Sequence, residues 1–282
     1  MKLKKQTKKR IGDITIGVVL IILAAMFLLP IVWMFAQSLK TPEQLADFRK
    51  LFDFPVSFRS YGEGWNNGRF LTYIFNSVKI AVLCVTGTLC SCSLAGFAFA
   101  KFQVKGKGIL FMVVLSTMMV PTTVTLIPMY IFYSKLHWLN TITPLVLPAF
   151  FGASTYNIFL LRQFFAGLPN ELAESAQLDG ANWFTIFSRI YIPNAKPALL
   201  VVAINQLVFC WNDYMGPLIY LGRPEKFTIA LGLNAFKGEV GATMDIGPLM
   251  AMAVVTILPV LILYLSFQKY FVEGVAATGI KG

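Results

Sequence analysis

Uncharged apolar residues run in blocks of twenty and more along this chain, divided by short polar stretches. The first block, Ile14 to Ala36, holds 23 residues without a charge. At 1.5 Å per residue a helix of that length reaches about 34 Å, enough to cross a ~30 Å hydrocarbon core. Five more blocks follow, at about Leu71–Ala100, Ile109–Phe132, Thr141–Leu161, Pro197–Leu221 and Pro248–Gln268. The pattern predicts an all-α polytopic membrane protein with six transmembrane helices. Pro30, Pro121, Pro128, Pro144, Pro148, Pro217 and Pro259 lie in or at the ends of these blocks and predict kinks. The Lys-rich start (Lys2, Lys4, Lys5, Lys8, Lys9, Arg10) has the look of a signal peptide. Yet the block behind it exceeds the roughly 7–15 residues of a signal core, and no A-x-A site follows. It reads as an uncleaved anchor.

Composition narrows the class. Hydrophobic residues make up 57% of the 282 positions and charged ones 13%, against about 25% charged in a soluble domain. An ordinary soluble enzyme, a disordered chain and a disulfide-stapled module are excluded. The formal charge of +11 would suggest nucleic acid in a soluble protein. Its distribution says otherwise. With six spans both termini share one side, and that side holds fourteen basic residues against five acids. The other holds nine against seven, with Lys79 and Asp213 left inside spans. The positive-inside rule then makes both termini cytoplasmic, with a basic N-tail at 1–13 and a C-tail at 269–282. No nucleic-acid partner is implied.

No linker divides the chain, so 1–282 reads as one membrane domain. Cys84, Cys90, Cys92 and Cys210 all lie in apolar blocks without a C-x-x-C pair, and His137 stands alone, so no metal site is expected. In the second block Gly87, Ser91 and Ala95 recur every four residues, as do Cys92, Gly96 and Ala100. Such spacing permits close helix contact, within the bundle or with a partner subunit.

The loop between the fourth and fifth blocks, about 163–196, is long and patterned. Leu168-Pro169-Asn170 precedes a helical stretch with Glu171 and Glu174 in its first turns, and Asn170 is placed to cap it. Asp179-Gly180 ends that helix. A second amphipathic stretch, at about 181–192, holds Trp183, Phe184, Ile186, Phe187 and Ile190. A helix–turn–helix with exposed apolar side chains results. Physics alone leaves two readings open, a docking surface for another protein or a helix resting on the lipid interface.

Glu174-Ser175-Ala176, three residues, Gly180, nine residues and Ile190-Tyr191-Ile192-Pro193 resemble the E-A-A-x3-G-x9-I-x-L-P loop. That loop marks the membrane subunits of binding-protein-dependent ABC importers; Ser175 departs from its usual Ala and Ile192 from Leu. Ser38-Leu39-Lys40-Thr41-Pro42-Glu43, Phe75-Asn76-Ser77, Leu126–Tyr130, Trp211-Asn212-Asp213 and the ending Val272–Gly274 with Gly279–Gly282 are similar to the carbohydrate-uptake branch and its smaller, maltose-type permease. The resemblance implies a type I ABC importer permease fold, with a core over 71–268, in a bacterial or archaeal cytoplasmic membrane. It also implies a second permease, two ATPase subunits that bind ATP and Mg, and an external solute-binding protein. On this reading Glu171–Gly180 is the coupling helix. Glu171, Glu174, Ser175, Ala176, Asp179, Gly180, Ile190 and Pro193 are the ATPase-coupling residues, with Ala176 keeping the helix close to its partner.

The chain itself is not expected to be an enzyme or to hold a cofactor. Gly274 to Lys281 only approaches a phosphate loop: the Lys is one place late, no Ser or Thr follows, and no strand precedes it. The glycines suit a flexible tail. Amide and acid groups in a span are functional candidates. Asn205, Gln206, Asn212 and Asp213 cluster in the fifth block, Asn205 and Asn212 on one helical face, as a substrate pathway or as inter-helix bonds. Asn76, Ser77 and Lys79 either tie helices together or meet the binding protein. Phe48, Phe52, Phe54, Phe58, Tyr61 and Trp65 suit docking or an interfacial belt. A non-sugar solute on the same fold and an ion-coupled transporter are the rivals. The second predicts internal repeats and mid-membrane ionisable groups, where only Asp213 stands.

Overall fold

Apolar blocks without period-2 alternation fold as helices, and the computed structural model contains no strand among the described residues. It describes residues 2–45, 54–67, 69–234 and 246–279, and their side chains except at 2–11, 67 and 269–279. In chain order the helices are α1 (Lys2–Ser38), α2 (Pro42–Leu45), α3 (Arg59–Asn67) and α4 (Phe70–Lys101). Next come α5 (Lys107–Ser116), α6 (Thr122–Lys135), α7 (Thr143–Phe150), α8 (Thr155–Gly167) and α9 (Glu171–Leu178). Last are α10 (Trp183–Ile186), α11 (Ile192–Asn194), α12 (Lys196–Asn212), α13 (Met215–Tyr220), α14 (Ile229–Leu233) and α15 (Ile246–Gly279).

Four stretches are long and apolar enough to cross a membrane without a sharp bend, Gly12–Ser38, Phe70–Lys101, Thr143–Gly167 and Ile246–Gln268, the third with a turn at 151–154 between α7 and α8. Two more candidates are bent pairs, giving four to six spans. The third block is not the straight helix its hydropathy predicts. It bends by 96° between Lys107–Met119 and Thr122–Lys135. Pro121 disfavours helical backbone in the residue before it, and Val120 is extended at φ −79°, ψ 115°. The fifth block also departs from its predicted span of 197–221. A 79° bend separates Trp183–Asn194 from Lys196–Asn212, and the helix stops where Asp213 is extended. The fourth block runs on to Gly167, past the predicted Leu161. At the other end α15 continues through Gly279 where the glycines suggested a flexible tail; Ala276 and Ala277 favour helix there. Gly274 and Gly279 therefore form no loop, and Ile280–Gly282 lie outside the described residues.

The chain divides into two compact units, residues 1–70 with 233–259 and residues 71–232 with 260–282. In the first, Thr41 opens α2 with a capping box: Gln44 N–H donates to Thr41 Oγ1 (3.4 Å) and Thr41 N–H to Gln44 Oε1 (2.8 Å). Ser38 Oγ lies 2.9 Å from the Tyr61 hydroxyl. The apolar residues of α1 from Ile14 to Leu29 are exposed throughout. Phe54, Phe58 and Trp65 are exposed too, while Phe48 and Phe52 lie outside the described residues.

In the second unit the small residues of α4 face the chain's own helices. A Cβ on Gly87 would stand 2.6 Å from the Phe150 ring, and one on Gly96 3.0 Å from Leu161 Cβ. Ser91 Oγ donates to the Ala149 carbonyl at 2.6 Å. Of the two uses open for this spacing, packing inside the bundle is the one seen. Cys84 and Cys210 share a small core with Ile80, Ala81, Val146 and Ala149.

Candidate functional site

The loop after α8 is built from its prolines and glycine outward. Leu168 precedes Pro169 and is extended (φ −78°, ψ 140°), which ends α8 and turns the chain. α9 then runs eight residues. Gly180, at φ +82°, closes it in a Schellman motif. Gly180 N–H donates to Gln177 O (3.0 Å) and Ala181 N–H to Ala176 O (2.9 Å).

Asn170 flanks α9 as expected but does not cap it with its side chain. Its backbone is helical (φ −74°, ψ −25°), outside the extended region a capping side chain needs. Its Oδ1 accepts instead from Lys101 Nζ at 2.7 Å. The cap in this loop is Asn182, extended at ψ 163°, whose Oδ1 accepts from Thr185 N–H at 2.8 Å to open α10. An Asn directly before the aromatic run was the signal for it.

The helix pair has two faces. Ala173 is buried, and Ala176 and Ala181 pack on the chain's own core beside Ile186, Phe187 and Tyr191. Ala176 is half-buried in that contact. Glu171, Glu174, Ser175, Asp179 and Gly180 are exposed, with Leu178 90% and Phe184 72% exposed beside them. Ile186 and Phe187, expected on the outer apolar surface, lie inside. A π-helical turn follows at Phe187–Tyr191, in which Ile190 is half-buried, and Pro193 after it is exposed.

Beneath the pair lies a pile of rings. Phe97 of α4 is 5.0 Å from Tyr191, 5.2 Å from Phe187, 6.0 Å from Phe165 and 6.2 Å from Trp183, centroid to centroid. Phe102 stands edge-on to Trp183 at 5.0 Å. Tilted and edge-to-face contacts at this range favour fixed mutual orientations. The loop therefore rests on a rigid footing.

The polar residues of the fifth block are not one open cluster. Gln206 is buried and donates to Cys210 Sγ at 3.3 Å. Asn212 donates to Val208 O at 2.9 Å, within its own helix. Asp213 Oδ1 accepts from Gly216 N–H at 3.1 Å and starts α13. The side chain of Asn205, half-buried on the Asn212 face, has no hydrogen-bond partner among the described residues. At the Phe70 end of α4, Asn76 Nδ2 donates to the carbonyls of Glu225 (2.9 Å) and Phe227 (3.0 Å). Ser77 Oγ accepts from Ile229 N–H at 2.8 Å. These two tie segments together, and Lys79 beside them is exposed. No group of three His, Cys, Asp or Glu side chains among the described residues is placed to hold a metal.

Known proteins share this arrangement. The sequence profile of the family described as binding-protein-dependent transport system inner membrane component matches residues 92–276. The arabinooligosaccharides transport system permease protein of Bacillus subtilis is 35% identical over 264 residues, 92% of each chain. The lactose transport system permease protein of Rhizobium radiobacter is 31% identical, covering 95% of this chain and 96% of its own. Among solved structures, a bacterial ABC transporter involved in import of the acidic polysaccharide alginate has a chain that superposes with a TM-score of 0.83. It is 25% identical, and the match covers 93% of this chain and 97% of that one.

Proposed function

The chain belongs to the family of binding-protein-dependent transport system inner membrane components, and on that premise we propose that it is the permease subunit of an ATP-driven sugar importer. Its relatives move arabinooligosaccharides, lactose and alginate, so the solute is a carbohydrate. The observation that carries the coupling role is the loop at 171–193. It presents Leu178 and Phe184 with Glu171, Glu174 and Asp179 on one exposed face, over a footing of packed rings. An apolar patch rimmed by charge is the chemistry of a protein groove.

The bent pair Lys107–Met119 and Thr122–Lys135 counts as one span and Lys196–Asn212 as another, with Trp183–Asn194 left to the coupling loop, which makes six. The basic excess of the N-tail and of residues 101–107 supports both termini on the cytoplasmic side of the cell's inner membrane. Two ATPase subunits dock there and bind ATP and Mg. A second permease completes the pathway, and an external binding protein delivers the sugar. When the ATPase pair closes, α9 moves as a lever, since eight residues held by a Schellman turn and a ring pile shift as a body. Of the polar groups of α12, Asn205 is the one with donor and acceptor unengaged, and with Asn212 it is assigned to the sugar path.

Glu174→Lys reverses the charge on the exposed face and touches no packed contact. The variant is expected in the membrane at wild-type level, with ATPase co-purification and sugar uptake lost. Full uptake by this variant contradicts the coupling role.

A further inference from the structure

Lys101, in the last turn of α4, reaches across to the loop from a helix not continuous with it. Its ammonium donates to the Leu168 carbonyl at 2.7 Å and to Asn170 Oδ1 at 2.7 Å, and stands 5.2 Å over the Tyr191 ring. The Glu171 carboxylate acts on the same charge. Three segments meet at one side chain: the end of α8, the start of α9 and the return toward α12. The two acceptors flank Pro169, the corner at which the loop leaves the bundle. Pro169 turns Leu168 out of the helix, and Lys101 supplies the donor for its carbonyl. The negative end of the α8 dipole adds to that attraction. α9 is too short to hold a direction on its own, and its Asn170 side chain is committed to the lysine rather than to a cap. Phe97, one turn earlier on the same face of α4, seats the rings of the loop.

We propose that Lys101 is a positioning residue that latches the corner of the coupling loop to α4, so that displacement of α9 is passed into the second span. The ring pile seats the buried face of the helix pair but does not touch the corner at Pro169. Two charge-assisted hydrogen bonds at a corner fix an angle. An ammonium suits this place through its spread of donors toward acceptors on two different segments. The inference rests on the coupling role assigned above.

The test uses the assembled complex of both permeases and the ATPase subunits in proteoliposomes. Lys101→Met keeps the stem and loses the donors; Lys101→Arg keeps charge and donors. With Met, the ATPase subunits are expected to co-purify as in wild type, while stimulation of ATP hydrolysis by loaded binding protein falls about tenfold, from the loss of two hydrogen bonds at about threefold each. Arg is expected to restore at least half of it. Should the Met variant fail to insert, Asn170→Ala, which removes one acceptor at an exposed site, is expected to lower stimulation about threefold, and Asn170→Asp to retain it. Wild-type stimulation in Lys101→Met, or in Asn170→Ala where Met does not insert, overturns the latch. Wild-type complexes whose ATPase never responds to the binding protein overturn the coupling role itself, a separate result.

Discussion

Gly180 holds a backbone conformation that a side chain resists. At φ +82° an L-residue loses roughly 1–2 kcal/mol, although nothing lies within 4 Å of the position a Cβ would take. Backbone strain and crowding are thereby separated at one site. Gly180→Ala is expected to leave the protein in the membrane and to raise amide exchange at Asp179–Ala181, with transport reduced. Gly180→Pro cannot reach that φ and removes the N–H given to Gln177, so transport is expected to vanish. Equal uptake by the two variants contradicts the account of this turn. Asn170 and Asn182 make the related point that residue type alone does not assign a cap. Both precede helical stretches, yet only Asn182 has the extended backbone that lets its side chain reach a free N–H.

At the scale of elements, packing decides what a helix tolerates. Gly232 in α14 lies under Tyr73, where an added Cβ would be 2.2 Å from the ring. Tyr73 is itself buried and cannot swing away. Gly232→Ala is therefore expected to cost about 1–3 kcal/mol, read as a lower thermal midpoint of the solubilised complex, whereas Gly12→Ala, at an open position inside α1, is expected not to lower it. The helix and turn at 168–180 were legible in the sequence because their chemistry is local, a pre-proline corner, acids in the first turn and a glycine stop, whereas the coupling role rested on the resemblance. The latch and the ring pile were not. Lys101 meets partners 67 and 69 positions away, and no periodicity in either segment encodes that meeting. The bend of the third block was half legible: Pro121 announced a kink, but hydropathy carries no angle, and 96° comes from an extended Val120 between a 3-10 turn and α6.

For the whole molecule, charge and exposure point in one direction. The excess of basic residues collects in the N-tail and at residues 101–107, while the 163–196 loop is nearly neutral and presents shape and apolar contact. The exposed apolar surface of α1 needs lipid or another chain against it. On the proposed function the energy comes from ATP and enters through the loop. The most direct measurement is sugar uptake by proteoliposomes holding this chain, its partner permease and the ATPase subunits, with purified binding protein added outside. Uptake is predicted to require both internal ATP and the loaded binding protein and to be indifferent to ionophores. Uptake driven by an ion gradient without ATP would contradict the account.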